Sequence, residues 1–330
     1  MKVLLTLLVS ILLTASASAD LVNRYSFTKD AKDIAGAADG QLKGSAAIAD
    51  GSVVLDGRGW VEINAPHVPK QQCASVEAWF TYQRIGNWVR VFDFGNTNAE
   101  GMGANCWYFT PQYPEGSRTT FSNTDPGYEY EETIDNTPLP ADTKTYIAVI
   151  FNSEANNAKL YVNGGLIGEK KLTVKLSDIG TQHLYLGKSS YNSDRPMKGA
   201  IREFRIYDSP LSELQILLNS QVGPDVMMNC PLTTTAPANN YTVTTPDVDL
   251  RWTIDDTVAA QHYEVGITND PNALKPDMTM TGASILTANT AALKKQDLSG
   301  NTDYYWRVDT IDDKNNRHIG PVLKFTTSDF

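Results

Sequence analysis

From Leu21 to about Tyr207, short runs of β-branched and aromatic residues are cut apart by clusters of Gly, Asn, Asp and Pro. A chain punctuated this often cannot build a helical bundle and reads as strands joined by turns. The runs fall at 21–27, 52–55, 59–64, 75–82, 88–94, 105–110, 117–121, 144–151, 158–162, 166–171, 183–187 and 200–207. So many strands need two stacked sheets to bury their apolar faces. Within 75–82, Val76, Ala78 and Phe80 alternate with Glu77, Trp79 and Thr81, the period of two expected of a half-buried strand. In KLYVNGGLIG (159–168), Asn163-Gly164 supplies the positive φ angles of a tight hairpin turn.

Residues 1–19, MKVLLTLLVSILLTASASA, carry one Lys, an apolar run and a small-residue end, the pattern of a secretory signal peptide cleaved before Asp20. The expectation is an exported protein, found outside the cell, on its surface or in the periplasm, with no membrane span. Three cysteines, Cys73, Cys106 and Cys230, permit one disulfide and a spare thiol. Cys73 with Cys106 is the favoured pair, because both sit at strand starts in one domain, but the sequence allows all three pairings. In SPLSEL (209–214), Ser209 offers an N-cap, Pro210 a first helical residue and Glu213 an acid, predicting a short helix that ends near Asn219. The resulting division is a signal peptide over 1–19, a large domain over 20–222, a linker over 223–235 and a smaller domain over 236–330, whose strand runs suit an immunoglobulin-like sandwich.

Several segments of the large domain together resemble the laminin-G-like, concanavalin A-like jelly-roll family: VLDGRGWVE (54–62), SVEAWF (75–80), RVFDFG (90–95), LYVNG (160–164), YLGK (185–188) and GAIREFRIY (199–207). The smaller domain resembles a fibronectin type III module through LRW (250–252), YEV (263–265), LSGNTDYYWRV (298–308) and FTT (325–327). The resemblance implies an all-β chain in two sandwiches, with Trp252 buried and Tyr304 in a tyrosine corner. It further implies a secreted bacterial accessory module that binds polysaccharide or glycoconjugate, or an extracellular adhesion or scaffolding protein that binds other proteins.

Members of the family often hold a structural calcium through an Asp matching Asp33, with Asp39 nearby, and an acid on the last strand. Here that last position is Arg202. A guanidinium removes one oxygen ligand and adds repulsion, so calcium is doubtful, no cofactor is required, and Arg202 is expected to pair with Asp33 or Asp39 in place of the ion.

A net charge of −10, with no run of Lys or Arg, argues against nucleic acid as a partner. His67, His183, His262 and His318 are isolated, without metal-ligand or triad spacing, and no nucleophile elbow or phosphate loop is present. The carboxylates Glu129 and Glu131 alternate around Tyr130, but within DPGYEYEETID (125–135), which reads as a solvated acidic loop rather than a glycosidase pair. The reading is therefore a non-enzymatic one. Sugar recognition needs aromatic faces beside polar groups. Trp107, Tyr108, Tyr113, Tyr128 and Tyr130 crowd the 105–130 region with Asn105, Gln112 and Arg118, and Tyr191 with Asp194 forms a second polar aromatic loop; these are the candidate ligand contacts. The alternative for Trp107 and Tyr108 is that either one turns into the core as a strand residue. Arg90 and Asp93 read as a structural ion pair.

Overall fold

The computed structural model describes residues 19–276, 280, 284–288 and 290–330. The expected signal peptide, apart from Ala19, lies outside the described residues. The large domain contains β1 (Leu21–Tyr25), β2 (Gly40–Lys43), β3 (Ala47–Ala49), β4 (Ser52–Asp56), β5 (Trp60–Ile63), β6 (Cys73–Tyr82), β7 (Phe92–Thr97) and β8 (Gly103–Tyr113). It continues with β9 (Gly116–Phe121), β10 (Glu132–Asn136), β11 (Thr145–Asn152), β12 (Asn157–Val162), β13 (Gly165–Lys171), β14 (His183–Leu186) and β15 (Lys198–Tyr207), followed by the helix α1 (Glu213–Val222).

These strands form two stacked sheets. The first runs β13-β12-β11-β6-β15-β4-β3, with β1 also paired to β15; the second runs β10-β9-β8-β7-β14-β5-β2. Alternate residues of both sheets meet in one core, where Phe80 packs on Phe109, Phe92 on Phe204, and Trp107 on Phe151. This is a concanavalin A-like sandwich. The Asn163-Gly164 turn closes β12 and β13 with φ of 50° and 82°, the positive values a tight hairpin requires.

β6 departs from the half-buried expectation: both of its faces are covered. Trp79 packs with Tyr146, Tyr161, Tyr207 and Ile216 in a second apolar cluster under α1. Beside it, fully buried Glu77 accepts hydrogen bonds from the hydroxyls of Tyr146 and Tyr207 and from Asn219 Nδ2 (2.8 Å), and faces Arg205 Nη1 at 3.6 Å. A carboxylate can be buried at this depth because phenol, amide and guanidinium together replace its water.

α1 begins one turn later than expected. Ser212 is its N-cap, accepting from the Gln215 N–H at 3.1 Å, and Gly223 at φ 80° ends it after Val222. One side of α1 seals the outer face of the first sheet through Ile216, while Leu217 joins the core of the second domain. Gln221 exchanges two hydrogen bonds with the Val322 backbone, both 2.8 Å.

The smaller domain comprises β16 (Leu232–Ala236), β17 (Tyr241–Val243), β18 (Val248–Ile254), β19 (Ala260–Thr268), β20 (Ser284–Ala288), β21 (Ala292–Lys295), β22 (Asp303–Asp312), β23 (Arg317–His318) and β24 (Leu323–Thr327). β16 already starts inside the expected linker. Two sheets, β16-β18-β21 and β17-β24-β22-β19-β20 with β23 on β22, enclose Trp252, Trp306 and Phe325. The Tyr304 hydroxyl accepts from the Ser299 N–H at 2.9 Å.

The favoured disulfide is not formed. All three cysteines are free. Cys73 opens β6 in one sheet and bonds Asn152 Oδ1 at 3.1 Å, while Cys106 lies in β8 of the other sheet, with the whole core between them. Among the described residues, no helix is long and apolar enough to cross a membrane.

Candidate functional site

α1 packs on the outer face of the first sheet, and the candidate site lies on the outer face of the second. On β8, Trp107 and Phe109 turn into the core, so Cys106, Tyr108 and Thr110 turn outward. On β7 the same alternation puts Phe92 and Phe94 inside and Asp93 outside. Just before β7, Val89 and Val91 are fully buried, which leaves Trp88 and Arg90 on the outer side.

These outward residues build a pocket of about 250 Å³ lined by Trp88, Arg90, Tyr108, Tyr128, Glu131, Tyr191 and Asp194. Arg90 lies at its floor. Its guanidinium sits 3.8 Å over the Tyr108 ring, donates to the Trp88 carbonyl at 2.7 Å and to Asp194 Oδ2 at 3.3 Å, and is 3.4 Å from Asp93. Trp88 holds φ 66°, a conformation that costs a bulky residue energy and persists only where its surroundings enforce it. Here the Trp88 N–H bonds the Gln112 carbonyl at 2.8 Å while its own carbonyl accepts from Arg90. This bend is why the expected strand 88–94 begins only at Phe92.

The loop after β14 closes one side. Ser190 is anchored on Asp93 through its N–H (3.0 Å) and its hydroxyl (2.6 Å), and Ser189 Oγ donates to Asp194 at 2.8 Å. Tyr191 is wedged between two glycines: a Cβ on Gly103 would lie 2.4 Å from its ring, and one on Gly127 2.8 Å from its hydroxyl. That hydroxyl is buried without a hydrogen-bond partner. On the other side, Tyr108 donates to Glu131 at 3.0 Å. Arg118 stacks 3.8 Å over Tyr113 and pairs with Asp135 at 3.0 Å and Glu131 at 3.6 Å.

Burial dominates the electrostatics here. It raises the Asp93 carboxyl to about 6 despite Arg90, raises Asp194, and pushes the His183 imidazole down to about 4, with Lys188 adding to the last effect. His183 Nε2 lies 2.9 Å from Ser190 Oγ, whose proton goes to Asp93, so this His carries the proton on Nε2. The serine stands between the histidine and the acid and is fully buried, the wrong order and exposure for a nucleophile relay.

The structure thus brings Tyr128, Tyr191 and Asp194, from separate stretches of sequence, to one pocket, with Arg118 and Tyr113 stacked beside it. It does not bring Trp107 there: that ring is wholly buried, stacked on Phe94 and Phe121, and offers no face to a ligand. Tyr130 turns away too, donating to Glu132 at 3.1 Å. The segment that read as an acidic loop is a short 3₁₀ turn, Gly127–Glu129, leading into β10, which adds an edge strand to β9. Glu129 stays exposed on that turn while Glu131 faces the pocket. Trp88, Arg90 and Glu131 were not among the candidate ligand contacts, whereas Tyr108 was. The Trp-Val-Arg-Val alternation at 88–91 was the signal for the first two.

The expected pairing of Arg202 with Asp33 or Asp39 is absent. Arg202 instead pairs with Asp225 and donates to the carbonyls of Asp50 and Gly51, because its strand position faces the chain leaving α1. Asp33 accepts from Asn23 Nδ2 (2.6 Å) and from the N–H groups of Arg24, Ala35, Gly36 and Ala38. Burial alone would raise its pKa, yet these donors bring it below the usual range. Such a donor set fits a carboxylate that organises a turn and does not fit a calcium ligand.

The large domain defines a class: a concanavalin A-like sandwich with an aromatic pocket on the outer face of its second sheet. Residues 55–217 match the family model described as the concanavalin A-like lectin/glucanases superfamily. No curated protein matches the chain. Among solved structures, domain 4 of AbnA, an extracellular GH43 arabinanase from Geobacillus stearothermophilus in complex with arabinotriose, is 22% identical. The match covers 60% of this chain and 97% of that one at a TM-score of 0.52. The CBM40 of the Ruminococcus gnavus IT-sialidase, bound to α2,3 sialyllactose, is 19% identical over 52% of this chain and 94% of its own, at 0.44. The binding domain of botulinum neurotoxin serotype D/C is 13% identical over 92% and 78%, at 0.47. At these identities the arabinanase domain establishes a shared fold only.

Proposed function

We propose that the protein is a non-catalytic carbohydrate-binding protein, exported by its leader-like residues 1–19, whose large domain holds a glycan in the pocket on the outer face of its second sheet. The observation that carries this reading is the pairing of two accessible aromatic rings, Trp88 and Tyr128, with pre-paired polar groups over a floor of buried Tyr108 and Tyr191. Aromatic faces cover the apolar side of a sugar ring, while Glu131 and Asp194 offer hydrogen bonds to its hydroxyls. Because Arg90 and Arg118 are already fixed by stacking and ion pairs, binding orders few side chains, which lowers its entropic cost. The non-catalytic part of the proposal draws support from the separation of Glu129 and Glu131, only one of which faces the pocket.

Calorimetric titration of the mature protein with oligosaccharides, arabinotriose among them, tests the reading. Tyr128 is 59% exposed and lines the pocket, so Tyr128→Ala should weaken binding by about 1–3 kcal/mol while leaving the fold intact. Tyr130→Ala should leave affinity within about twofold. Equal loss in both variants would move the site, and release of products from a polysaccharide, abolished by Glu131→Gln, would replace recognition with catalysis.

A further inference from the structure

Two cations lie at the pocket, Arg90 in its floor and Arg118 beside it, and both are ion-paired. The Arg90 guanidinium lies between Asp93 and Asp194 with its face on Tyr108, and Arg118 lies between Glu131 and Asp135 with its face on Tyr113. Four carboxylates thus surround two guanidinium groups, in a chain of net charge −10. We propose that this pocket selects uncharged sugars and discriminates against sugars that carry a carboxylate.

The inference rests on the glycan-binding reading and adds the class of ligand. Recognition of a sugar carboxylate calls for a guanidinium with two parallel N–H groups to spare. Arg90 donates to the Trp88 carbonyl and Asp194, at 2.7 and 3.3 Å, and at 2% exposure its remaining N–H groups are shielded from a ligand. The groups that do face an incoming ligand are of the other kind. Glu131 and Asp194 are acceptors for sugar O–H donors, and charge-assisted bonds of that type are the stronger ones. An acidic sugar would lose these contacts and meet like charge at close range.

The test is calorimetry with matched pairs, neutral galacto-, gluco- and xylo-oligosaccharides against the corresponding galacturonates and glucuronates, and lactose against sialyllactose. At low salt the neutral partner should bind at least about tenfold more tightly. The gap should narrow in about 0.5 M salt. It should narrow also in Glu131→Gln, with that variant's melting curve showing that it remains folded. Tighter binding of the acidic partner, lost in Tyr128→Ala, would leave the glycan site standing and overturn the charge selection. Absence of binding by every neutral and acidic sugar would overturn both.

Discussion

A single residue, His183, shows how closely the site is tied to stability. Its imidazole is buried, donates to Ser190, and reaches Asp93 through that hydroxyl. With a folded pKa near 4 against an ordinary 6.5, His183 takes up a proton more readily unfolded than folded. Its contribution is present above pH 6.5 and is lost as pH falls toward 4, worth about 3 kcal/mol. Asp93 has the opposite sign: raised to about 6, it favours the fold below pH 4 and loses that contribution as pH rises toward 6. The two slopes oppose each other in the same window. Chemical denaturation between pH 4 and 6.5 should therefore show His183→Gln losing stability relative to wild type as pH rises, by up to about 3 kcal/mol. A pH-independent difference would mean that the imidazole is not held neutral. Residue patterning made part of this site legible. Val89 and Val91 alternate with Trp88 and Arg90, but Trp107 and Tyr108 are both aromatic, and only the register of β8 against β7 decides which enters the core.

Among the elements, α1 does two jobs: Ile216 completes the apolar cluster over Trp79, and Leu217 enters the core of the second domain. Replacing a buried Leu by Ala removes its transfer energy and leaves a cavity, so Leu217→Ala should cost about 2–4 kcal/mol. It should also split calorimetric unfolding into two transitions as the smaller domain uncouples. A single unchanged transition would show that α1 does not join the domains. The hairpin at Asn163-Gly164 could be read directly, because its backbone conformation demands those residues. β10 could not. Asp125-Pro126-Gly127 before it and Thr137-Pro138 after it are turn-forming, and its strand character comes from pairing with β9, a contact that its own run does not encode. The N-cap of α1 was misplaced for a related reason: two serines, Ser209 and Ser212, each precede apolar residues, and only the later one accepts from the helix.

For the whole molecule, the two sandwiches and the helix between them assign each sheet face a task. α1 covers the outer face of the first sheet, the core fills the inner faces, and the outer face of the second sheet carries the pocket. The general architecture was legible because many short strands admit few alternatives to stacked sheets. The pocket was only half legible, since it assembles residues 88–90, 108, 128–131 and 191–194 from parts of the chain that meet only after β7, β8 and β14 have paired. A competing location exists: a wider groove where α1 meets the smaller domain, lined by Tyr161, Leu217 and Asn239. A crystal structure of the mature protein with a bound neutral oligosaccharide tests the central claim most directly. The account predicts a sugar ring against Tyr128 and Trp88, with hydroxyls on Glu131 and Asp194. A sugar seated in the groove beside α1, with the aromatic pocket empty, would contradict it.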